Sequence, residues 1–109
     1  MEYWQFDDLT IESHRPQVLH SDGEGRTIAI FLPEGELLQE HQVHERAWLL
    51  VLDGRIEVFA SDKTIQGESQ FLAIFEPKET HEVRALEDSR LLLLLAPWPG
   101  VGHPATRNL

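Results

Sequence analysis

Apolar and polar residues alternate along most of this chain, and turn dipeptides interrupt the alternation at intervals of about ten residues, the spacing of a β-sandwich or barrel. The clearest unit is Ala47 to Phe59. Ala47 to Leu52 is apolar, Asp53-Gly54 is a two-residue turn, and Ile56-Glu57-Val58-Phe59 alternates apolar with polar. Asp-Gly between such flanks predicts a tight hairpin, because both residues tolerate a positive φ. Upstream, Pro16 to Ser21 alternates weakly, Asp22-Gly23-Glu24-Gly25 is a turn, and Thr27 to Leu32 is strand-like through its β-branched and aromatic content. Pro33 to Glu36 makes the next turn, and Leu37 to Val43 leads into His41 and His44. Downstream, Ser61 to Lys63 and Gly67 to Ser69 are loops around the hairpin's return. Phe71 to Phe75 is apolar throughout, which predicts a strand buried on both faces. Glu82 to Leu86 and Leu91 to Leu95 are two further strands, separated by the turn Glu87-Asp88-Ser89. Leu91 to Leu95 has helix propensity, but its short length and flanking turns favour a strand. Met1 to Asp8 reads as a strand or docked arm, and the prolines and glycines of Pro97 to Pro104 exclude regular structure.

Composition narrows the function classes. The length of 109 residues, 41% of them hydrophobic, matches one domain with a single core. Nineteen acidic against nine basic residues give a net charge of −10. Such a surface repels nucleic acid and anionic membranes, so neither is expected as a partner. With no cysteine there is no disulfide, thiolate metal site or cysteine nucleophile. The N-terminal residues lack the basic start and apolar stretch of a signal peptide. The longest apolar run falls far short of the roughly 20 residues of a membrane span. A cytoplasmic location is the expectation. No serine sits in a nucleophile-elbow context, and phosphate-cradling glycine loops are absent.

The stretch from Gly35 to Gly54 and the later FEPKETHEVRALEDSRLLLLLAP carry a resemblance. The chain resembles a small single-domain cupin of the RmlC-like superfamily. Gly35, His41 and Gly54 fall at the first glycine, first histidine and last glycine of the first motif, G-x5-H-x-H-x3-4-E-x6-G, and His81 falls at the histidine of the second. The resemblance implies an all-β double-stranded β-helix, or jelly-roll, spanning residues 1–109 as one domain. Its barrel core is about residues 27–96, with an N-terminal arm over 1–15 and a C-terminal tail over 97–109. It also implies a metal site with four protein ligands, of which His41 and His81 match two. Val43 stands in place of the second histidine and Ala47 in place of the glutamate. Glu76, Lys78 and Ala85 depart from the second motif.

Divalent ions such as iron, manganese, nickel or zinc require three or four converging N or O donors. His44 is the substitute ligand to test, giving a candidate metal set of His41, His81 and His44. In a regular strand His41 and Val43 share a face and His44 points away, so a bulge would be needed to turn His44 inward. Glu40, Glu45, Glu76 and His20 are further donors. The bland alternatives are that His41 and His81 are hydrogen-bonded barrel histidines and that His44, beside Glu45 and Arg46, lies in an exposed loop. Leu49, Val51 and Phe75 complete the expected pocket around His41 and His81, and are core residues in their own right.

Three functions are compatible with these residues. The first is a binding module that holds a small organic molecule in the barrel mouth, with His41 and His81 as polar contacts. The second is a metal-dependent enzyme resembling cupin dioxygenases or isomerases. Metal-free acid–base chemistry by His81 with Glu76 is its variant. The third is a structural or regulatory homodimer in which the arm, the tail and their aromatic residues, Tyr3 and Trp98 among them, meet a partner subunit. Homodimerisation follows from the resemblance and from the frequency of two-fold oligomers.

Overall fold

In a computed structural model of the chain, described here for residues 1–38 and 43–104, eight strands form two antiparallel sheets. The strands are β1 (Gln17–Asp22), β2 (Gly25–Leu32), β3 (Arg46–Asp53), β4 (Arg55–Ala60), β5 (Lys63–Glu68), β6 (Leu72–Phe75), β7 (His81–Ala85) and β8 (Ser89–Ala96). One sheet has the order β1-β2-β8-β3-β6 and the other β5-β4-β7. The segment after β2 extends the second sheet along the free edge of β7. Gly35 N donates to Ala85 O at 2.7 Å, and Leu38 N to Val83 O at 2.8 Å. Near the N-terminus is a short 3-10 turn, Phe6–Asp8, and among the described residues no helix is long and apolar enough to cross a membrane.

Period-two alternation fills the space between the sheets. Leu49, Val51, Ile56 and Leu91 are fully buried, and Ile30, Leu32, Ala47, Val58, Phe75, Val83, Ala85, Leu93 and Leu95 join them in one hydrophobic cluster. β8 shows the logic most plainly. Ser89, Leu91, Leu93 and Leu95 point inward, while Arg90, Leu92, Leu94 and Ala96 lie on the outer face. A run of five leucines with no polar residue to mark its sidedness is therefore read as a strand only through its neighbours. Each fully buried leucine contributes about 1.5–3 kcal/mol relative to an exposed one.

The hairpin expected at Asp53-Gly54 does not form: the chain turns there, but β3 pairs with β6 and β8 while β4 pairs with β5 and β7, so the turn carries the chain from one sheet to the other. Gly54 has a φ of 99°, and a Cβ there would meet Ser89 Oγ at 2.4 Å and Asp88 O at 2.5 Å, so glycine is required both for conformation and for space. Two further expectations are corrected. Residues 71 to 75 are not buried on both faces, because Leu72 and Ile74 on β6 are about half exposed and only the opposite side faces the core. Gly67 and Glu68 close β5 and do not form a loop, with Gly67 packed under the Phe71 ring. The N-terminal residues are an arm docked through Arg90, whose guanidinium donates to Phe6 O and to Leu9 O.

Candidate functional site

The histidine-bearing regions sit where β3, β6 and β7 come together at one end of the barrel. His81, the first residue of β7, is 5% exposed. Its ring stacks on Phe75 at 4.0 Å with an interplanar angle of 8°. Nδ1 lies 3.0 Å from Glu79 O, and because a carbonyl only accepts, Nδ1 carries the proton and Nε2 is left as the acceptor of the neutral ring. Glu79 is itself held by two donors, Ser61 Oγ at 2.7 Å and Glu76 N at 2.9 Å. These hydrogen bonds, with the Ser61 hydroxyl the larger, keep its carboxyl below the usual carboxylate range. His81 also borders a cleft of about 400 Å³ with Leu37, Leu38, Phe59 and Thr80.

The second region is the segment leading into β3. Val43, Glu45, Ala47, Leu49 and Val51 are all buried, one alternating row that starts before the strand does. Val43 O accepts from Lys78 N at 2.7 Å, which ties this segment to the β6–β7 turn. Glu45 is 1% exposed, a charged side chain in a core position. Its Oε2 accepts from Gly100 N at 2.6 Å, and its Oε1 is buried with no partner among the described residues. His44 is half-buried, and its Nδ1 is likewise buried without a partner among the described residues. The expectation that His44 lies in an exposed loop is corrected in its exposure: the tail after β8 folds over His44 and Glu45. Gly100 lies so close that a Cβ would meet His44 O at 2.3 Å.

Between this segment, the inner face of β2 and β8, and the tail is a cavity of about 310 Å³. Arg26, Ile28, Leu93, Leu95, Glu45 and Trp98 line it, together with Val43, His44, His103 and Pro104. The Arg26 guanidinium lies over the Trp98 ring at 4.0 Å, and Arg26 Nε donates to Ser21 Oγ at 3.1 Å. The His103 ring meets Trp98 edge-on at 4.7 Å and His44 at 5.7 Å.

The predicted site residues divide as follows. His81 and Phe75 come together, and Leu49 and Val51 lie in the closed core. His44 lines a different cavity from His81, and His41 lies outside the described residues, as does Glu40. Glu76 turns to the surface and pairs with Arg46 at 2.6 Å, not with His81, and His20 pairs with Glu2 and Asp22 at the surface. Among the described residues no three His, Cys, Asp or Glu side chains converge on one point. At the positions where the resemblance places a histidine and a glutamate, Val43 and Ala47 are packed into the apolar core. The described donors therefore do not fit a divalent ion. Sequence reasoning named Glu45 only as a further donor and did not place it in the core. The signal was available, since stepping back by two from Leu49 through Ala47 reaches it on the inner face.

Solved structures identify the architecture. An RmlC-like cupin from Methanocaldococcus jannaschii superposes with a TM-score of 0.75 at 14% identity, covering 100% of this chain and 97% of that one. A double-stranded β-helix protein from Klebsiella pneumoniae gives 0.76 at 16% identity, over 92% and 94% of the two chains. The fold is that of the cupins. The cupin domain of Cnp3 from Schizosaccharomyces pombe gives 0.77 at 14% identity, covering 87% of this chain and 68% of that one. No family model matches the sequence. No curated protein is similar to it in sequence. At these identities the likeness speaks for the cupin fold alone, and the site must be argued from its own residues.

Proposed function

We propose that this cupin-fold protein binds a small organic molecule in the mouth of its barrel, beneath the tail formed by residues 97–104. The observation that carries this reading is the Glu45 carboxylate, buried to 1% exposure with one oxygen on Gly100 N and the other unpartnered beside a 310 Å³ cavity. Leaving a buried acceptor unsatisfied costs about 1–3 kcal/mol, more when it is charged, so such atoms mark places where a partner is missing. The cavity lies at the lower end of the roughly 300–1,000 Å³ typical of ligand sites and has the same make-up, an apolar wall with a few polar groups. The centre of the site shifts from His81, whose ring is already stacked and hydrogen-bonded, to the segment of Val43, His44 and Glu45.

The test is a metabolite library screened by NMR against the isotope-labelled full chain. Compounds that fill the mouth shift the Gly100 amide and the Trp98 indole. A library that leaves both unmoved, or that moves only residues around the His81 cleft, overturns the reading. The same preparation settles the metal alternative: stoichiometric iron, manganese, nickel or zinc that disappears in His81→Ala would move the site back to His41 and His81.

A second reading, homodimerisation, is favoured by the outer face of the five-stranded sheet. Cross-strand neighbours Ile74, Trp48 and Leu94 form one row, and Leu72, Leu50 and Leu92 the next. Leu72 and Ile74 are about half exposed and Leu94 is 36% exposed. Five strands of up to eight residues span a face of about 600 Å², so two copies face to face bury about 1,200 Å², the lower end of stable interfaces. Sedimentation of the parent as a dimer and of Ile74→Lys as a monomer is the expected result. A monomeric parent at high micromolar concentration would remove this reading.

A further inference from the structure

The cavity carries opposite charges on its two sides. On one side is Glu45, just before β3, and on the other Arg26, near the start of β2. The register places them on either side of β8. Arg26 pairs with Leu95 and Leu95 with Ala47, and Glu45 lies two residues before Ala47, so the two charged residues stand two strand spacings apart across the sheet and two residues apart along it, roughly 12 Å at the backbone. Between them the floor is Ile28, Leu93 and Leu95, and Trp98 closes the roof.

Building on the barrel-mouth reading above, we infer that the ligand is a small apolar amino-acid-like zwitterion, with its ammonium on Glu45 and its carboxylate on Arg26. The chemistry follows from what each group lacks. Glu45 Oε1 is an acceptor with no donor, and a carboxylate in a position this buried is stabilised most by a cationic N–H group. His44 Nδ1, also buried and unpartnered among the described residues, adds a second polar atom at that end. An ammonium has three N–H donors, enough for both. At the other end Arg26 uses Nε for Ser21, and its two terminal amino groups are the pair whose geometry matches a carboxylate. The Trp98 ring beneath the guanidinium fixes its plane. Neither a simple amine nor a simple acid answers both charges: a cation alone faces Arg26, and an anion alone faces Glu45. The apolar floor selects an aliphatic side chain, and the volume limits its size.

The test uses L-alanine, L-valine and L-leucine as zwitterions graded in size. Against leucine it sets 3-methylbutylamine, which lacks the carboxylate, and 4-methylpentanoate, which lacks the ammonium. Each is titrated into the full chain and followed at the Gly100 amide and Trp98 indole. The expected result is saturable binding of at least one zwitterion, with affinity falling at least tenfold for each half-molecule. Arg26→Met should abolish the preference for zwitterion over amine, and Glu45→Gln the preference for zwitterion over acid. Arg26 is partly exposed, so its replacement leaves the fold intact and keeps the test valid even where Glu45→Gln unfolds. Equal binding of a half-molecule and its zwitterion, or an Arg26→Met variant that still discriminates, overturns the inference. Library compounds that lack the ammonium–carboxylate pair but shift Gly100 and Trp98, with all three amino acids silent, would sink the zwitterion and leave the barrel-mouth reading standing. Silence from every compound would sink both.

Discussion

The two buried polar side chains at this end of the barrel, His81 and Glu45, are equally hidden from solvent but differ in how they are satisfied. His81 has a donor–acceptor partner in Glu79 O and an aromatic partner in Phe75, so every strong demand of Nδ1 and of the ring face is met within the protein. Glu45 has one oxygen met by Gly100 N and one left over. The difference separates architecture from function. A buried polar group that its own chain satisfies specifies the core, whereas one that its chain leaves open awaits something from outside.

The comparison makes an ordered set of predictions. His81→Ala should show the largest effect, a loss of about 2–4 kcal/mol in denaturant unfolding, because it opens a void against Phe75 and deletes a made hydrogen bond. Glu45→Leu should move stability by less than about 1 kcal/mol in either direction. It removes one made bond and one unsatisfied acceptor, terms of similar size and opposite sign. If Glu45→Leu proves as damaging as His81→Ala, the two corners are alike and Glu45 is a structural group.

The smallest effect comes from a histidine that is satisfied but exposed. The pKa of His20 is raised, first by its hydrogen bond to Asp22 and then by that to Glu2, and Asp22 is lowered by the same contact with His20. A raised histidine contributes its tether below the unfolded pKa of about 6.5 and loses it as pH rises through the folded value. The lowered Asp22 contributes above its unfolded pKa of about 3.9 and loses its share as pH falls through the folded value. Hydrogen exchange of residues 2–8 should therefore be slowest at mildly acidic pH and quicken on either side, with global stability almost unchanged. A flat profile would mean that Arg90 alone holds the arm.

Much of the fold was legible in the sequence, because the cues that fix it are local. The alternation of β4 and β7 marks their inner faces directly, and Asp53-Gly54 marks a turn, although not the hairpin it suggests, because the partners of β3 and β4 lie far off in sequence. What was illegible depended on partners distant in sequence. β6 reads as buried on both faces because Leu72 and Ile74 are apolar, yet their outward side is uncovered in the single chain. β5 hid behind Gly67, a residue that reads as a loop until Phe71 is seen resting on it. The site was half legible. His81 was found through its resemblance to a motif. Glu45 was named as a donor, but its burial was illegible because a charged residue beside His44 and Arg46 looks solvated, and only the tail, contributed from Gly100, shows that it is not.

That tail is joined to the barrel by the Trp98 ring and by a main-chain N–H. Every residue except proline supplies that donor, and only the tight approach to His44 O demands glycine at position 100. Trp98 and His103 roof the cavity, and their exchange would leave that main-chain bond untouched. In a diversified library this short segment is where new ligand preferences can be selected without losing the hydrogen bond that seats the tail.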